Sequence, residues 1–238
     1  MSNDTASRTS GHNRDIFLTG EYIQHFKPDD KGNPFSEIYK QKKQDTIGLI
    51  NGFEAPRTIL DIGGGMGRLS IELALSDQNR VVLVDISADM LKLAIDRAGD
   101  RNKIRPVNSD AHRLPFRDKT FDVVVGLDLL CHMKRPEMAL GEFHRVLKDR
   151  GALILDSTNS NPLWTIFYPA YLGKNPLNWL KTIKFQGVLP GWEKIVRHYR
   201  KDKFYALLIK AGFKITKNLN YGPKICPKWH LAVSRKKI

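Results

Sequence analysis

The chain has 238 residues and 41 % apolar side chains, enough for one sizeable domain with a hydrophobic core. Its two cysteines form no paired framework, which argues against a disulfide scaffold or a structural zinc site and indicates a reducing compartment. The net charge of +14 is uneven: residues 1–133 carry 18 basic and 19 acidic side chains, whereas residues 134–238 carry 21 and 6. The basic part predicts either a solubilising surface or a surface for an anionic partner, such as a phospholipid membrane or nucleic acid.

Residues 1–33 are predicted to form a flexible N-terminal tail, because they are rich in small polar residues. They lack the apolar stretch of a signal peptide, and no apolar run of the chain approaches the roughly 18 residues of a membrane span. Residues 34–238 are predicted to form a single domain. An aromatic and basic insertion over about 157–200 is expected to cap its ligand site.

Strand and helix signals alternate through the middle of the chain, which is typical of a parallel sheet with crossover helices. Ser87 is predicted to be the N-cap of a helix over residues 88–98. Helices are predicted over residues 35–52, 67–76, 88–98 and 202–212, and from Pro136 to a stop at Gly151. Strands are predicted over residues 58–62, 80–85, 121–126, 152–156, 213–217 and 230–235.

Three of these strands end in a carboxylate or a glycine, at Asp61, Asp85 and Gly126. In open parallel sheets, ligands bind in the crevice outside the carboxyl ends of the strands. The sequence therefore predicts a ligand site where these three residues lie.

The first of these strands runs into a glycine-rich loop, "ILDIGGGMG" (59–67). Glycines let backbone N–H groups approach a ligand closely and tolerate positive φ. A P-loop would end in Gly-Lys-Ser/Thr, and a dinucleotide fingerprint starting at Gly63 would need a glycine where Arg68 stands. The remaining pattern is D-x-G-x-G-x-G over residues 61–67. Taken alone, this loop is also compatible with an ordinary tight turn between strand and helix.

The D-x-G-x-G-x-G pattern resembles motif I of class I S-adenosylmethionine-dependent methyltransferases, and later segments agree in order and spacing. Asp85 ends the second strand 24 residues after Asp61. The segments that resemble later family motifs are "SDAHRLPFRDKTFDVVV" (109–125), "GLDLLCHM" (126–133) and "ALGEFHRVLKDRGALIL" (139–155). The resemblance is closest to the subgroup with quinone, sterol and small-molecule methyltransferases.

The resemblance implies an α/β fold with a Rossmann-like, seven-stranded, mostly parallel sheet and helices on both faces. It also implies an N-terminal helical cap and a cap insertion after strand five. The implied cofactor is S-adenosylmethionine, with S-adenosylhomocysteine as the product, and no metal is expected.

Asp85 resembles the acidic residue that holds the ribose hydroxyls, while Asp110 and Ala111 would meet the adenine. Asp61 is expected to orient loop N–H groups or to meet the cofactor's ammonium group through water. The residues expected to bind the cofactor are Asp61, Gly63, Gly65, Gly67, Asp85, Ile86, Asp110, Ala111 and Gly126.

Methyl transfer is an in-line displacement at a sulfonium methyl group, so the enzyme mainly aligns the acceptor. A general base is needed only for a hydroxyl or an acidic carbon. His132 is the first candidate base, with a structural hydrogen bond as the alternative role, and His198 is a weaker candidate. The family often has two adjacent histidines here, but Cys131 replaces the first. Asp128 either binds a cationic or hydroxylated acceptor or faces solvent.

Residues 161–194 are rich in aromatic side chains, with lysines between them. This segment is interpreted as an acceptor lid, as an interfacial segment at an anionic membrane, or as a cap whose aromatic residues form its own core. Four prolines argue against one long amphipathic helix. The candidate substrate-binding residues are Tyr39, Asp128, Trp164, Tyr168 and Tyr199.

We therefore predict methyl transfer to a small or lipid-like acceptor, at oxygen, nitrogen or carbon, by a cytoplasmic protein that contacts an anionic membrane peripherally. The alternative is an RNA methyltransferase that uses the basic C-terminal surface. Against RNA, "GLDLLC" differs from the (D/N/S)-P-P-(Y/F/W) of base-amino methyltransferases. A non-catalytic binder would not need the intact cofactor pattern. The oligomeric state is not predicted.

Overall fold

The computed structural model describes residues 36–99, 103–159, 197–222, 224 and 227–237. The predicted tail over 1–33 and most of the predicted insertion over 157–200, including Trp164 and Tyr168, lie outside the described residues. The domain boundaries and the role of the insertion therefore stay predictions.

Helices and strands alternate along the described chain. The helices are α1 (Ser36–Asn51), α2 (Ser70–Leu73), α3 (Ala88–Ala98), α4 (Pro136–Val146) and α5 (Lys201–Lys210), with a 3-10 turn at Leu130–His132. The strands are β1 (Arg57–Ile62), β2 (Asn79–Asp85), β3 (Ile104–Asn108), β4 (Phe121–Gly126), β5 (Leu147–Thr158), β6 (Phe213–Tyr221) and β7 (Trp229–Lys236). None of the helices in these parts of the chain has the length and apolar character needed to cross a membrane.

The seven strands form one sheet in the order β3-β2-β1-β4-β5-β7-β6. The pairs from β3 to β5 are parallel, and β7 runs antiparallel to both of its neighbours. This confirms the predicted seven-stranded, mostly parallel sheet. The strand order reverses between β1 and β4, so a crevice opens at their carboxyl ends, where ligands bind in this architecture.

Helices cover both faces of the sheet, because alternate residues of each central strand point to opposite sides. On one face, Leu60 packs in the same buried cluster as Phe143 of α4 and Phe204 of α5. On the other face, Ile59 shares a cluster with Ile50 of α1 and with the residues around α2. The continuous apolar runs of β1, β4 and β5 follow from this burial on both sides.

The predicted cap of α3 is confirmed, because the Ser87 hydroxyl accepts the N–H of Met90 at 3.3 Å. The predicted helix 67–76 is wrong in length, since α2 has only four residues. Gly67 lies in the left-handed region with φ 74°, so the glycine loop takes up the expected first turn. Gly151 does not end α4: the helix stops at Val146, and Gly151 lies inside β5.

Helix α1 packs against the sheet through residues spaced four apart. Ile38, Lys42, Thr46 and Ile50 are all buried, so a charged residue occupies the middle of the buried stripe. The Tyr221 hydroxyl on β6 donates to Asp45 Oδ2 at 2.9 Å and ties the helix to the sheet. This docking brings α1 to the crevice beside β1 and β4.

Candidate functional site

A cavity of about 500 Å³ lies at the carboxyl ends of β1, β2 and β4. Its wall is built from the loops that follow these strands, the loop after β3, the 3-10 turn and one residue of α1. The predicted site residues on this wall are Tyr39, Asp61, Gly63, Gly65, Asp85, Ile86, Asp110, Ala111, Asp128 and His132. The fold thus gathers residues that lie far apart in the sequence.

The glycine loop needs its glycines for two different reasons. A Cβ on Gly63 would lie 2.6 Å from Leu129 Cδ1, and a Cβ on Gly64 would overlap Leu83 and lie 2.7 Å from Asp61 Oδ2. These two positions therefore have no room for a side chain. A Cβ on Gly65 would meet nothing within 4 Å, so this residue, with φ 54°, leaves open space at the cavity. Gly64 was not predicted, although the triple glycine signalled it.

Gly67 and Gly126 were predicted to bind the cofactor, but neither lines the cavity formed by the described residues. A Cβ on Gly67 would lie 3.0 Å from Ala94 Cβ, so this glycine lets α3 approach the loop. A Cβ on Gly126 would lie 2.8 Å from Leu129 Cδ2 and 3.0 Å from Leu155 Cδ2. Both glycines permit close packing behind the wall.

The Asp85 carboxylate is held by two backbone N–H groups. Oδ2 accepts the N–H of Gly65 at 2.9 Å, and Oδ1 accepts the N–H of Ser87 at 2.9 Å. Burial raises the pKa of Asp85, while these hydrogen bonds oppose the rise. Since a carboxylate oxygen has two lone pairs, each oxygen can still accept a second hydrogen bond, as a cis-diol requires.

Asp61 is almost fully buried, with 2 % of its surface exposed. Its Oδ2 accepts the Ser70 hydroxyl at 2.6 Å, and within the described chain no N–H of the glycine loop donates to it. The expectation that Asp61 orients the loop directly is therefore wrong, because the carboxylate ties β1 to α2 instead. Burial raises the pKa of Asp61 to about 6, against the hydrogen bond from Ser70.

Asp110 and His112 form a pair on the wall after β3. Asp110 Oδ1 accepts the backbone N–H of His112 at 2.9 Å and lies 2.6 Å from its Nδ1. His112 was not predicted, although it follows Ala111 within the segment that resembles a cofactor motif. The pair fixes the direction of the Asp110 carboxylate at the cavity.

His132 lies on the wall, whereas the weaker candidate base His198 and the candidate substrate-binding residue Tyr199 are not among the described residues that line it. Burial lowers the pKa of His132 to about 4 despite the opposing charge of Asp128, so the imidazole is neutral near pH 7. His198 Nδ1 instead lies 2.9 Å from Thr158 Oγ1, and the Tyr199 N–H donates to the Thr158 carbonyl at 2.9 Å. These bonds hold His198 and Tyr199 at the end of β5.

The sequence did not reveal a buried charge cluster beside the cavity. Lys42 Nζ donates to Asp128 Oδ1 at 2.7 Å and to Asp156 Oδ2 at 2.5 Å. Burial would lower the pKa of Lys42, but the two carboxylates outweigh it and the pKa is raised. Burial raises the pKa of Asp156 to about 6, whereas Lys42 brings the pKa of Asp128 below its usual value despite burial. The one available signal was the carboxylate that follows the apolar run of β5.

Cationic residues complete the wall. The Arg68 guanidinium lies 4.0 Å from the centre of the Tyr39 ring, and burial raises the pKa of this phenol to about 12. Lys134 and Arg135 line the cavity near His132. The cavity therefore offers carboxylates, cations and a neutral imidazole around apolar side chains.

Residues 60–155 match the family described as "Methyltransferase domain". A ubiquinone/menaquinone biosynthesis C-methyltransferase of Azotobacter vinelandii is 37 % identical over 191 residues, which cover 74 % of this chain and 73 % of the relative. The protein of the same name from Pseudomonas putida is 32 % identical over 190 residues, which cover 74 % and 72 %.

Solved structures show the same fold at lower identity. The magnesium protoporphyrin IX methyltransferase of Synechocystis, with bound S-adenosylhomocysteine, superposes with a TM-score of 0.70 at 19 % identity, over 94 % of this chain and 98 % of that one. The [4+2]-cyclase SpnF superposes with a TM-score of 0.66 at 17 % identity, over 88 % and 86 %. Identities this low show the fold alone, whereas the two relatives that are more than 30 % identical also show the family. The chain belongs to the class I S-adenosylmethionine-dependent methyltransferases, the family that includes these C-methyltransferases.

Proposed function

We propose that this methyltransferase acts on a ring carbon of a small, hydroxylated, lipid-like aromatic acceptor of the quinol type. The observation that carries this proposal is that Asp128 and a neutral His132 share the wall of a cavity that also holds the cofactor motifs. The names of the relatives, which are C-methyltransferases of ubiquinone and menaquinone biosynthesis, support the same acceptor class.

The described residues fit S-adenosylmethionine, which supplies an electrophilic methyl group when it is bound. Asp85 has two oxygens with lone pairs for the ribose hydroxyls, and the space at Gly65 suits the methionine portion. Asp110 and Ala111 would meet the adenine, as in the family. The cavity wall lacks the Gly-Lys-Ser/Thr of a phosphate loop, in agreement with a phosphate-free ligand.

A reduced ring suits this chemistry because a phenolic hydroxyl donates electron density to the neighbouring carbon. That carbon would take the methyl group that bound S-adenosylmethionine supplies, and the thioether would be the leaving group. His132 is neutral near pH 7, but its pKa of about 4 makes it a weak base, so it accepts the hydroxyl proton only as the bond to the methyl group forms and makes that hydroxyl acidic. The ring C–H proton is then lost to solvent, and the hydroxyl is restored from the base. The net products are the methylated quinol, the thioether and one proton.

A direct assay tests the proposal. The protein is incubated with S-adenosylmethionine and a short-chain prenylated 1,4-benzoquinol or 1,4-naphthoquinol that lacks the ring methyl group. A product heavier by one methylene, with the new methyl on carbon by NMR, supports the proposal. A methyl ether, or no transfer while S-adenosylhomocysteine binds normally, contradicts it. Asp85→Ala is expected to abolish cofactor binding by calorimetry, and Asp89→Ala, an exposed carboxylate on α3, is the matched control.

We also propose that the protein contacts an anionic membrane peripherally at its cytoplasmic face, where a lipid-like acceptor resides. Exposed lysines of α5 and β6, namely Lys203, Lys210, Lys214 and Lys217, support this contact. Each is worth about 1 kcal/mol near an anionic surface. Co-sedimentation with vesicles that contain phosphatidylglycerol should exceed that with phosphatidylcholine alone and should fall with salt. Binding to RNA but not to vesicles in physiological salt would refute this contact.

A further inference from the structure

Asp128 is held by its neighbours at every polar group except one carboxylate oxygen. Its N–H donates to Asp156 Oδ1 at 2.7 Å, its carbonyl accepts the Cys131 thiol at 3.3 Å, and its Oδ1 accepts Lys42 at 2.7 Å. Its backbone is in the left-handed region with φ 54°, which aspartate tolerates better than most residues. In the described chain no donor reaches Oδ2, and the side chain, 33 % exposed, lines the cavity.

The two residues that hold Asp128 are themselves completely buried. The side chain of Lys42 is 1 % exposed and that of Asp156 is 0 % exposed. Asp156 uses Oδ2 for Lys42 and Oδ1 for the Asp128 N–H, so it links α1 to the loop after β4. Lys42 Nζ also lies 5.2 Å from the centre of the Trp229 ring. The desolvation of these buried charges costs stability, and apolar residues of similar volume would stabilise the core at least as well.

Within the cluster one lysine faces two carboxylates, and the cations Arg68 and Lys228 also act on Asp128. The Asp128 carboxylate is the part of the cluster that lies at the cavity, where its Oδ2 can accept a hydrogen bond. We propose that Lys42 and Asp156 are positioning residues for acceptor binding, and that they fix Asp128 so that its Oδ2 accepts a hydrogen bond from a hydroxyl of the acceptor. This inference rests on the proposed function, because it takes the acceptor to be hydroxylated. Beyond the proposed function, it assigns to the buried pair of Lys42 and Asp156 a role in selecting the acceptor.

The arrangement predicts discrimination against an acceptor whose hydroxyls are methylated, because an ether cannot donate to Oδ2. A hydrogen bond to a charged group corresponds to about a 10- to 100-fold difference in affinity. The probes are a short-chain prenylated 1,4-benzoquinol and its dimethyl ether. Their binding to the complex with S-adenosylhomocysteine is measured by calorimetry, and the wild-type protein should prefer the quinol by this factor.

Removing Lys42 alone would leave Asp156 uncompensated in the core, so the variant Lys42→Met is expected to unfold. The double variant Lys42→Met/Asp156→Asn removes both charges and keeps an oxygen for the Asp128 N–H. It should bind S-adenosylhomocysteine as wild type does, yet its preference for the quinol should fall below about 3-fold. The matched control is Lys43→Met/Glu72→Gln, which removes another ion pair between α1 and α2 outside the acceptor wall. The control should keep the full preference.

Two results would overturn the inference: a folded double variant that keeps the wild-type preference, or a wild-type complex that binds quinol and ether equally well. A merely structural role would change thermal stability in both double variants and leave the preference intact. Turnover is scored separately. Preferential quinol binding without methyl transfer would contradict the proposed function while it supports the positioning role of Lys42 and Asp156.

Discussion

Replacing Asp61 by asparagine separates the electrostatic cost of a buried carboxylate from the hydrogen bond that it makes. Asparagine keeps an oxygen for the Ser70 hydroxyl, which is 2.6 Å away in the wild-type protein. Burial raises the pKa of Asp61 from 3.8 to about 6, so the folded protein binds this proton more tightly than the unfolded chain. The stability that comes from this proton is therefore complete below about pH 4 and is lost as the pH rises to about 6.

The size of the effect follows from the two pKa values. A shift of one pKa unit corresponds to about 1.4 kcal/mol, so ionised Asp61 costs the folded protein about 3 kcal/mol. Linkage places about half of this cost at about pH 5 and nearly all of it at about pH 7.5. The stability of Asp61→Asn relative to wild type should therefore increase by about 1–2 kcal/mol between these pH values. Any constant effect of the new amide cancels in this difference.

Urea unfolding of both proteins at the two pH values measures this difference. The control is Asp77→Asn, because the hydrogen bond from Lys103 lowers the pKa of Asp77. The stability that comes from this carboxylate is lost only below about pH 4, so the relative stability of the control should stay flat between the two pH values. A relative stability of Asp61→Asn that is flat with pH, or that falls as the pH rises, would refute the burial argument.

The remaining predictions concern the loop, the base and the ring stack. Gly64→Ala should lose about 1–3 kcal/mol in urea unfolding, because its Cβ would overlap Leu83. Gly65→Ala should also lose about 1–2 kcal/mol, because a φ of 54° is strained for alanine, but it should in addition weaken S-adenosylhomocysteine binding in calorimetry. Equal affinities of the two variants for S-adenosylhomocysteine would contradict this contrast. His132→Asn should lower kcat about 100-fold with an unchanged Kd for S-adenosylhomocysteine, and an unchanged kcat would exclude a base role. Arg68→Met should cost about 0.5–2 kcal/mol of stability by removing the stack on Tyr39, and Tyr39→Phe, which keeps the ring, should not.

Much of the fold could be predicted because the central strands carry continuous apolar runs that end at polar residues. The strand β3 could not be predicted from its residues, since Ile-Arg-Pro-Val-Asn is short, charged and only half-buried. It forms because β2 supplies a parallel partner for its backbone, which is a tertiary effect. The length of α2 was wrong because a left-handed Gly67 extends the loop, and periodicity does not report φ.

The candidate site was predictable where a residue type is tied to a strand end, as for Asp61 and Asp85. The pattern D-x-G-x-G-x-G does not tell which glycine makes room for a ligand and which for a neighbouring helix. Lys42 was missed because a lysine on an amphipathic helix normally marks the solvent side. Its partners, Asp128 and Asp156, are 86 and 114 residues away, so only the folded chain reveals the cluster.

The outer strands of the described sheet, β3 and β6, bear on how copies of this protein behave at high concentration. Pro106 deprives β3 of one backbone donor, and Arg105 is exposed beside it. Along β6, Lys214 and Lys217 are exposed. Charges and proline at such borders discourage strand-to-strand joining between molecules. The two β6 lysines that we propose to face lipid therefore also oppose β-aggregation between chains.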